Sequence, residues 1–150
     1  MKLELEFNDD RLRRLSQEYI ERVGDLTPVH RAVGEFALGQ IDDRFRTETD
    51  PNRQPWIPNS PVTIARKQAE GRILKVLQST GFMRSRAYYS ATKERCEVGI
   101  NDRKAIKHQK GRGVPVRKIL GFNQSDRDNI VGIYREYLEL SELTRLSIKD

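Results

Sequence analysis

Two stretches near the start of the chain place apolar residues at every third or fourth position, the pattern of a helix with one buried face. The first stretch follows Asn8, a predicted N-cap, and Gly24 is predicted to close it. The second has Thr27 as N-cap and Pro28 as its first helical residue, and it keeps its phase for about five turns to Phe45. These patterns predict two N-terminal helices.

Three stretches have the character of β-strands. Residues 2–7 alternate apolar and charged side chains. Residues 86–91 and 95–100 are rich in strand-forming residues and are separated by a short polar turn, which predicts a hairpin. Residues 114–121 are extended and apolar around Pro115, which cannot donate to a ladder and therefore indicates an edge strand.

Residues 47–61 form an irregular Pro-rich arm after the second helix. Four prolines among polar residues exclude a regular element and predict an ordered loop: Pro51, Pro55, Pro58 and Pro61. Trp56 lies at the centre of the arm. A single tryptophan here either pins the loop to its own core, the interpretation we favour because of its large apolar area, or anchors a contact with another subunit.

The remaining stretches predict a broken helix, a loop and a final helix. Residues 63–79 have a helical composition interrupted at Gly71, which predicts the break. Residues 101–114 combine Asn, Asp and Gly with five Lys or Arg residues and predict a loop. Ser125 and Asp128 resemble a capping pair. The apolar stripe after them predicts a C-terminal amphipathic helix: Ile130, Ile133, Tyr134, Tyr137 and Leu138.

Together these elements predict an α+β fold in one domain over residues 1–150: two N-terminal helices, a small, mainly antiparallel β-sheet and a C-terminal amphipathic helix. A chain of this length buries roughly 70% of the surface that it exposes when unfolded, so its core can be stable without disulfides or a structural metal ion. With 36% hydrophobic and 33% charged residues it has the composition of a folded protein. It has no apolar run of about 18 residues and no signal sequence, so neither a membrane span nor export by that route is expected.

The charge is distributed unevenly along the chain. Residues 1–50 carry 8 basic and 12 acidic groups, residues 51–100 carry 9 and 3, residues 101–120 carry 7 and 1, and residues 121–150 carry 4 and 6. The middle is therefore about +12 and the two ends together −6. This asymmetry predicts either a polyanionic partner or self-association in which the basic middle of one copy meets an acidic end of the next.

The residue types indicate no enzyme and no cofactor. A Walker A loop is absent, and Gly111-Arg112-Gly113 lacks the third glycine of a dinucleotide site. A Ser/His/Asp or Cys/His site could draw only on His30, His108 and Cys96. Two histidines and one cysteine cannot make a Cys/His zinc site from this chain alone, and one cysteine excludes an internal disulfide. We interpret His30 as a solvated helix residue and Cys96 as a small core thiol. His108 is interpreted as a structural residue that neighbouring cations hold neutral.

One basic stretch has seven cations: Arg103, Lys104, Lys107, Lys110, Arg112, Arg117 and Lys118. Such a stretch can neutralise phosphates, and its glycines suit a loop that follows a nucleic-acid backbone. It lacks interleaved aromatic residues, and it is not on a predicted helix that could enter a groove. A solvated charged face is therefore favoured over direct contact with DNA.

Several short motifs occur in a fixed order over residues 5–140. They are Arg44-Phe45, Asp50-Pro51-Asn52-Arg53-Gln54-Pro55-Trp56, Thr80-Gly81, His108-Gln109-Lys110-Gly111 and Val114-Pro115-Val116-Arg117-Lys118-Ile119-Leu120-Gly121. In this order they resemble the phage virion morphogenesis family, which includes tail completion proteins. The resemblance implies a structural protein without catalysis or cofactor, at the neck or the head-proximal end of a phage tail, that makes the tail competent to join a filled head.

The resemblance also implies partners and a location. We expect self-association into a ring, with a hexamer as the expected order, because a ring uses a heterologous interface in which unlike faces meet. Other expected partners are tail and neck proteins such as the tail tube, tail terminator or head connector, with non-specific contact to packaged DNA left open. The protein would be assembled in the host cytoplasm and reside in the virion, without contact to a membrane.

Two sets of residues are candidates for these contacts. The stiff arm predicts a subunit interface at Pro51, Pro55, Trp56, Pro58 and Arg117. The basic stretch predicts contact with a ring lumen or an acidic neighbour at Arg103, Lys104, Lys107, His108, Lys110, Arg112 and Lys118. The alternative function is a monomeric or dimeric basic protein that binds nucleic acid through residues 103–118.

Overall fold

The computed structural model describes residues 9–147 and has the predicted α+β architecture. The strand predicted for residues 2–7 lies outside the described residues. The elements are α1 (Asp10–Val23), α2 (Thr27–Thr47), α3 (Pro61–Ala69), α4 (Phe82–Ser85), β1 (Ala87–Ala91), β2 (Cys96–Ile100), α5 (Arg103–Lys110) and α6 (Gln124–Ser147).

Both N-terminal helices are confirmed, with their N-caps shifted by one residue from the prediction. Asp9, and not Asn8, caps α1, because its carboxylate accepts the backbone N–H of Arg11 over 2.8 Å. Gly24 ends α1 in the left-handed conformation, as predicted. Thr27 is the first residue of α2 and not its N-cap, and that helix extends to Thr47.

The third helix is shorter than predicted. Ser60 caps α3, and its hydroxyl accepts the backbone N–H of Thr63 over 3.2 Å. The helix ends at Ala69, before Gly71, which has a φ of 62° that most other residues avoid. The break is therefore confirmed, but residues 72–81 do not resume a helix as the composition suggested.

The sheet within residues 9–147 has two strands, not three. Antiparallel β1 and β2 pair from Ala87 opposite Ile100 to Ala91 opposite Cys96, as the hairpin pattern predicts. Residues 114–121 join no ladder, so the predicted edge strand is wrong. The predicted loop at 101–114 is also wrong, because most of it is helix α5.

Helix α2 lies between two groups of buried side chains. Its C-terminal half packs, through Ile41 and Phe45, against the hairpin and the arm. Its N-terminal half packs, through Val29 and Val33, against α1 and α6. Gly34 makes the approach of β1 possible, because a Cβ there would lie 2.3 Å from the Tyr89 ring.

The C-terminal helix α6 buries the predicted stripe. Ile130, Tyr134 and Leu138 are buried in the second cluster, and Ile133 and Tyr137 are partly buried against it. The capping pair, however, is two residues earlier than Ser125 and Asp128: Asp126 N donates to Asn123 Oδ1 over 2.8 Å, and Asn123 N donates to Asp126 Oδ2 over 3.1 Å. This reciprocal pair has the form of a capping box.

Candidate functional site

Residues 114–121 are held by side chains from other parts of the chain, and Arg44 contributes two of these bonds. Its guanidinium donates to the carbonyl oxygens of Ile119 (2.6 Å) and Gly121 (2.7 Å) and to Asp126 Oδ2 (3.2 Å). Arg44 and Asp126 are both buried. Burial lowers the pKa of Arg44 and the Asp126 carboxylate opposes that shift. Since every one of these acceptors is inside the protein, Arg44 is a structural cation.

Trp56 fastens the arm to the same segment. Its side chain is 4% exposed, and its Nε1 donates to the Lys118 carbonyl over 2.9 Å. Its ring meets Phe45 edge to face, with ring centroids 5.6 Å apart. The interpretation of Trp56 as the pin of the arm to its own core is confirmed.

Gln109 is a key residue that sequence reasoning did not single out. Its Oε1 accepts the backbone N–H groups of Ile119 (2.7 Å) and Leu120 (3.0 Å), and its Nε2 donates to the Leu120 carbonyl (2.7 Å). The side-chain amide thus supplies the hydrogen bonds that a neighbouring strand would give to two residues. The feature of the sequence that could have indicated the role of Gln109 is its place in the His-Gln-x-Gly motif.

Arg117 adds a second link between residues 114–121 and the arm. Its guanidinium donates to the carbonyl oxygens of Ile57 (2.7 Å) and Pro58 (2.9 Å), and its backbone N–H donates to the His108 carbonyl (2.9 Å). Burial lowers its pKa. Of the residues predicted for a subunit interface, Arg117, Pro51 and Trp56 are buried within this subunit, whereas Pro55 and Pro58 are exposed.

Helix α5 carries the basic surface. The Asp102 carboxylate caps it by accepting the backbone N–H of Lys104 over 2.7 Å, and Gly111 ends it in the left-handed conformation. Ala105 and Ile106 face the core. The expectation that the basic stretch is not helical is therefore wrong. At about 100° per residue, the i, i+4 and i+7 positions at 103, 107 and 110 form one stripe on the outer face.

The cations of this surface lack partners among the described residues. Six of them are exposed and make no ion pair within residues 9–147: Arg103, Lys104, Lys107, Lys110, Arg112 and Lys118. Arg103 and Lys104 also occupy the first turn of α5, where the helix dipole disfavours positive charge. The two cations of the first turn therefore do not stabilise the helix, whereas Lys107 and Lys110 in its last turn do.

His108 faces away from this stripe and is partly buried. Its Nδ1 lies 3.3 Å from the Pro115 carbonyl. Burial is the main cause that lowers its pKa, and Arg117 adds a smaller effect in the same direction. The predicted direction is thus correct, but the main cause is burial and not the neighbouring cations. His108 is a structural residue in this environment.

A groove of about 700 Å³ separates the arm and α3 from α4 and α5. Its apolar walls include Ile57 and Phe82, which are 52% and 53% exposed. Lys104 and Arg66 are its exposed cations, and among the described residues Asp102 is the one carboxylate that lines it. The groove therefore combines apolar surface with net positive charge.

His30 and Cys96 lie away from the groove. His30 is buried, not solvated as predicted, with its Nδ1 2.6 Å from the Thr92 carbonyl. Cys96 is partly buried, and burial raises its pKa to about 11. No group of three or more His, Cys, Asp or Glu residues in the described part of the chain is arranged to hold a metal ion.

A family model described as the phage virion morphogenesis family matches residues 4–139. A kynureninase of Aspergillus clavatus is 41% identical to the chain over 51 residues, which is 34% of this chain and 10% of that enzyme. The chain spans about a tenth of the length of that curated relative, and the match carries no argument for its activity. No solved structure matches the chain. None of the described helices is long and apolar enough to span a bilayer.

Proposed function

The chain belongs to the phage virion morphogenesis family, and from that premise we propose that it completes the tail of a phage so that the tail can join the head. The family makes it a virion-associated protein with a structural or assembly role. In this proposal, identical subunits of the protein form a ring at the neck or at the head-proximal end of the tail, and the ring catalyses no reaction.

The observation that carries this proposal is the way in which the motif residues are used. Arg44, Trp56, Gln109 and Arg117 bind backbone or side-chain groups inside the subunit, and together they fix the arm against α5 and residues 114–121. These residues build a rigid surface rather than a reaction centre. That surface carries the exposed cations of α5 and the groove next to them.

Charge supports assembly from unlike faces. The basic surface is in the middle of the chain, and the acidic excess is in residues 1–50 and 121–150. A contact between a basic face and an acidic face of the next copy is heterologous, and repeating it with the right rotation closes a ring. Lumenal DNA and an acidic neighbouring ring are the other anionic partners that suit the cations of α5.

Two measurements test the proposal. Sedimentation of the full chain in physiological salt should show an oligomer of defined size. Tails produced without this protein should fail to join filled heads, and adding the purified protein should restore joining in electron micrographs. Tails that join heads normally in its absence would contradict the proposal.

The second candidate function is binding of nucleic acid through residues 103–118. The specific observation in its favour is the stripe of Arg103, Lys107 and Lys110 on one face of α5. Contact between a ring and DNA in its lumen would instead be blind to sequence and would weaken steeply with salt. A monomer or dimer that binds duplex DNA selectively at physiological salt would favour this function over the ring.

A further inference from the structure

The last turns of α6 carry an apolar face that nothing in the described part of the subunit covers. Leu140, Leu143 and Leu146 are 52%, 64% and 62% exposed. At about 100° per residue they share one side of the helix with Glu136 and Glu139, opposite the buried stripe. We call these five residues the leucine face. Exposed leucines in register on a helix are typical of a surface that binds a partner.

The leucine face is acidic as well as apolar. Glu136 and Glu139 are exposed and make no ion pair within residues 9–147. Arg145 is on the other side of the helix, about 160° from Leu143. The exposed Arg135, in contrast, lies at the edge of the face, about 40° from Glu139, and leaves the face with a net charge of about −1. Glu142 is already bound by Arg22, over 2.6 Å. The partner of this face should therefore offer apolar walls and exposed cations.

The groove between the arm and α5 has these properties. Ile57 and Phe82 give it exposed apolar walls, and Arg66 and Lys104 give it exposed cations. The Arg86 guanidinium lies 4.4 Å from the centre of the Phe82 ring and adds positive charge beside that wall. The groove thus complements the leucine face in both polarity and charge.

The two surfaces of one subunit cannot meet each other. Helix α6 starts beside residues 119–121, where Asp126 binds Arg44, and it continues unbroken to Ser147. At about 1.5 Å per residue, Leu143 lies about 25 Å along the helix from Asp126. The Arg22 bond to Glu142 also holds this end of α6 against α1. Contact between the two surfaces therefore requires two copies of the chain.

We propose that the leucine face of one copy docks into the groove of the next copy. This inference rests on the proposed ring and supplies its subunit contact. The donor and acceptor surfaces differ, so each copy uses both, and the contact is heterologous. The leucines lose contact with water in the groove, and Glu136 and Glu139 meet cations at its rim and set the register.

Substitutions on the two surfaces test the contact. Leu143→Glu and Ile57→Glu each place a carboxylate in the apolar part of the contact, and each should weaken self-association at least about tenfold, which corresponds to about 1.4 kcal/mol. Ser125→Glu, in the first turn of α6 and far from Leu143, and Asn52→Glu are matched controls, since they add the same charge at exposed positions off the two surfaces. The controls should associate like the parent chain. Thermal unfolding of all four should show that the subunit is intact.

Cross-linking tests the pairing directly. In a Cys96→Ser background, one chain carries Leu143→Cys and another carries Phe82→Cys, and the two are mixed before assembly. A short bis-maleimide should link the mixture into covalent dimers and should link neither chain alone. A link within the Leu143→Cys chain alone would indicate that two leucine faces meet each other, which overturns the proposal.

Other results separate this contact from the ring itself. An oligomer that survives Leu143→Glu and Ile57→Glu without a cross-link overturns the docking but leaves the ring. If Leu5→Glu abolishes the oligomer and Leu143→Glu has no effect, the N-terminal segment and not the leucine face occupies the groove. That result would also overturn the proposed docking. A parent chain that remains monomeric at every concentration contradicts both the ring and this contact.

Discussion

The indole Nε1 of Trp56 donates a hydrogen bond to the backbone carbonyl of Lys118, 2.9 Å away, and so joins the centre of the arm to a segment 62 residues later in the chain. One residue before Lys118, the Arg117 side chain binds the arm in return, at the carbonyls of Ile57 and Pro58. The arm and residues 114–121 are therefore fastened in both directions. The irregular shape of the arm is a consequence of this mutual binding and not of disorder.

Replacing Trp56 should reduce stability first and assembly second. Trp56→Ala removes a fully packed ring and its contact with Phe45, so we expect a loss of about 3–5 kcal/mol in the free energy of unfolding. Trp56→Phe keeps most of the apolar volume but leaves the Lys118 carbonyl without its donor, at about 1–3 kcal/mol. Denaturant unfolding measures both. Ile57→Ala, at the exposed neighbour, is the control, and an equal loss there would contradict the buried role of Trp56.

Gln109 should be as important as an apolar core residue. In Gln109→Ala, the N–H groups of Ile119 and Leu120 and the Leu120 carbonyl lose their partner in a buried setting. We expect a loss of about 1–3 kcal/mol in unfolding free energy. Gln124→Ala, at an exposed glutamine that binds only Asp128, should cost less than about 0.5 kcal/mol. Equal effects of the two substitutions would show that Gln109 does not hold the segment.

The buried pair of Arg44 and Asp126 gives a larger expected effect. Asp126→Ala leaves the Arg44 guanidinium buried without a carboxylate and also removes the acceptor for Asn123 N. We expect a loss of about 3–5 kcal/mol in unfolding free energy, because the remaining charge is uncompensated. Asp128→Ala breaks the more exposed pair with Arg11 and should cost less than about 1 kcal/mol. Denaturant midpoints compare the two variants, and similar midpoints would contradict this argument.

The helices with long apolar stripes were predictable because their pattern repeats over many turns. Helix α5 was not predicted, although its two ends carried a signal. Asp102 and Gly111 were assigned to a loop by composition, whereas they are the N-cap and C-cap of an eight-residue helix. With only Ala105 and Ile106 facing the core, the helix is too short to show an apolar period.

Residues 114–121 show a different limit of sequence reasoning. Their apolar pattern favours a strand, but the partners of their backbone are side chains of Arg44, Trp56 and Gln109 and not a strand. Two of these partners are more than 60 residues away in the chain. Local pattern cannot identify such long-range side-chain partners, so the third strand was the natural but wrong expectation.

Stability should fall in mild acid partly because of His108. Burial and Arg117 lower the pKa of His108 in the folded protein below the usual 6.5, so the unfolded chain binds the proton more readily. The His108 contribution is therefore constant above about pH 6.5 and is lost as pH falls from there through the folded pKa.

Unfolding at about pH 7.5 and pH 5.5 measures this dependence. In His108→Gln the difference between the two pH values should be smaller than in the parent chain. Ser79→Ala, at another groove position, adds no titratable group and should retain the parent difference. An unchanged difference in His108→Gln would show that this imidazole does not contribute.

The exposed cations of α5 should matter for virus assembly more than for folding. Lys107→Glu and Arg112→Glu change residues that make no ion pair within residues 9–147, so unfolding free energy should change by less than about 0.5 kcal/mol. In Lys107→Glu the new carboxylate is four residues after Arg103, and that favourable pair offsets its unfavourable place near the helix C-terminus. The yield of infectious particles should fall for both variants, because an anionic partner loses its counter-charge. Lys93→Glu makes the same change of charge in the exposed hairpin turn and is the control. An equal fall in yield in that variant would show that the effect depends on net charge and not on the position of the cations on α5.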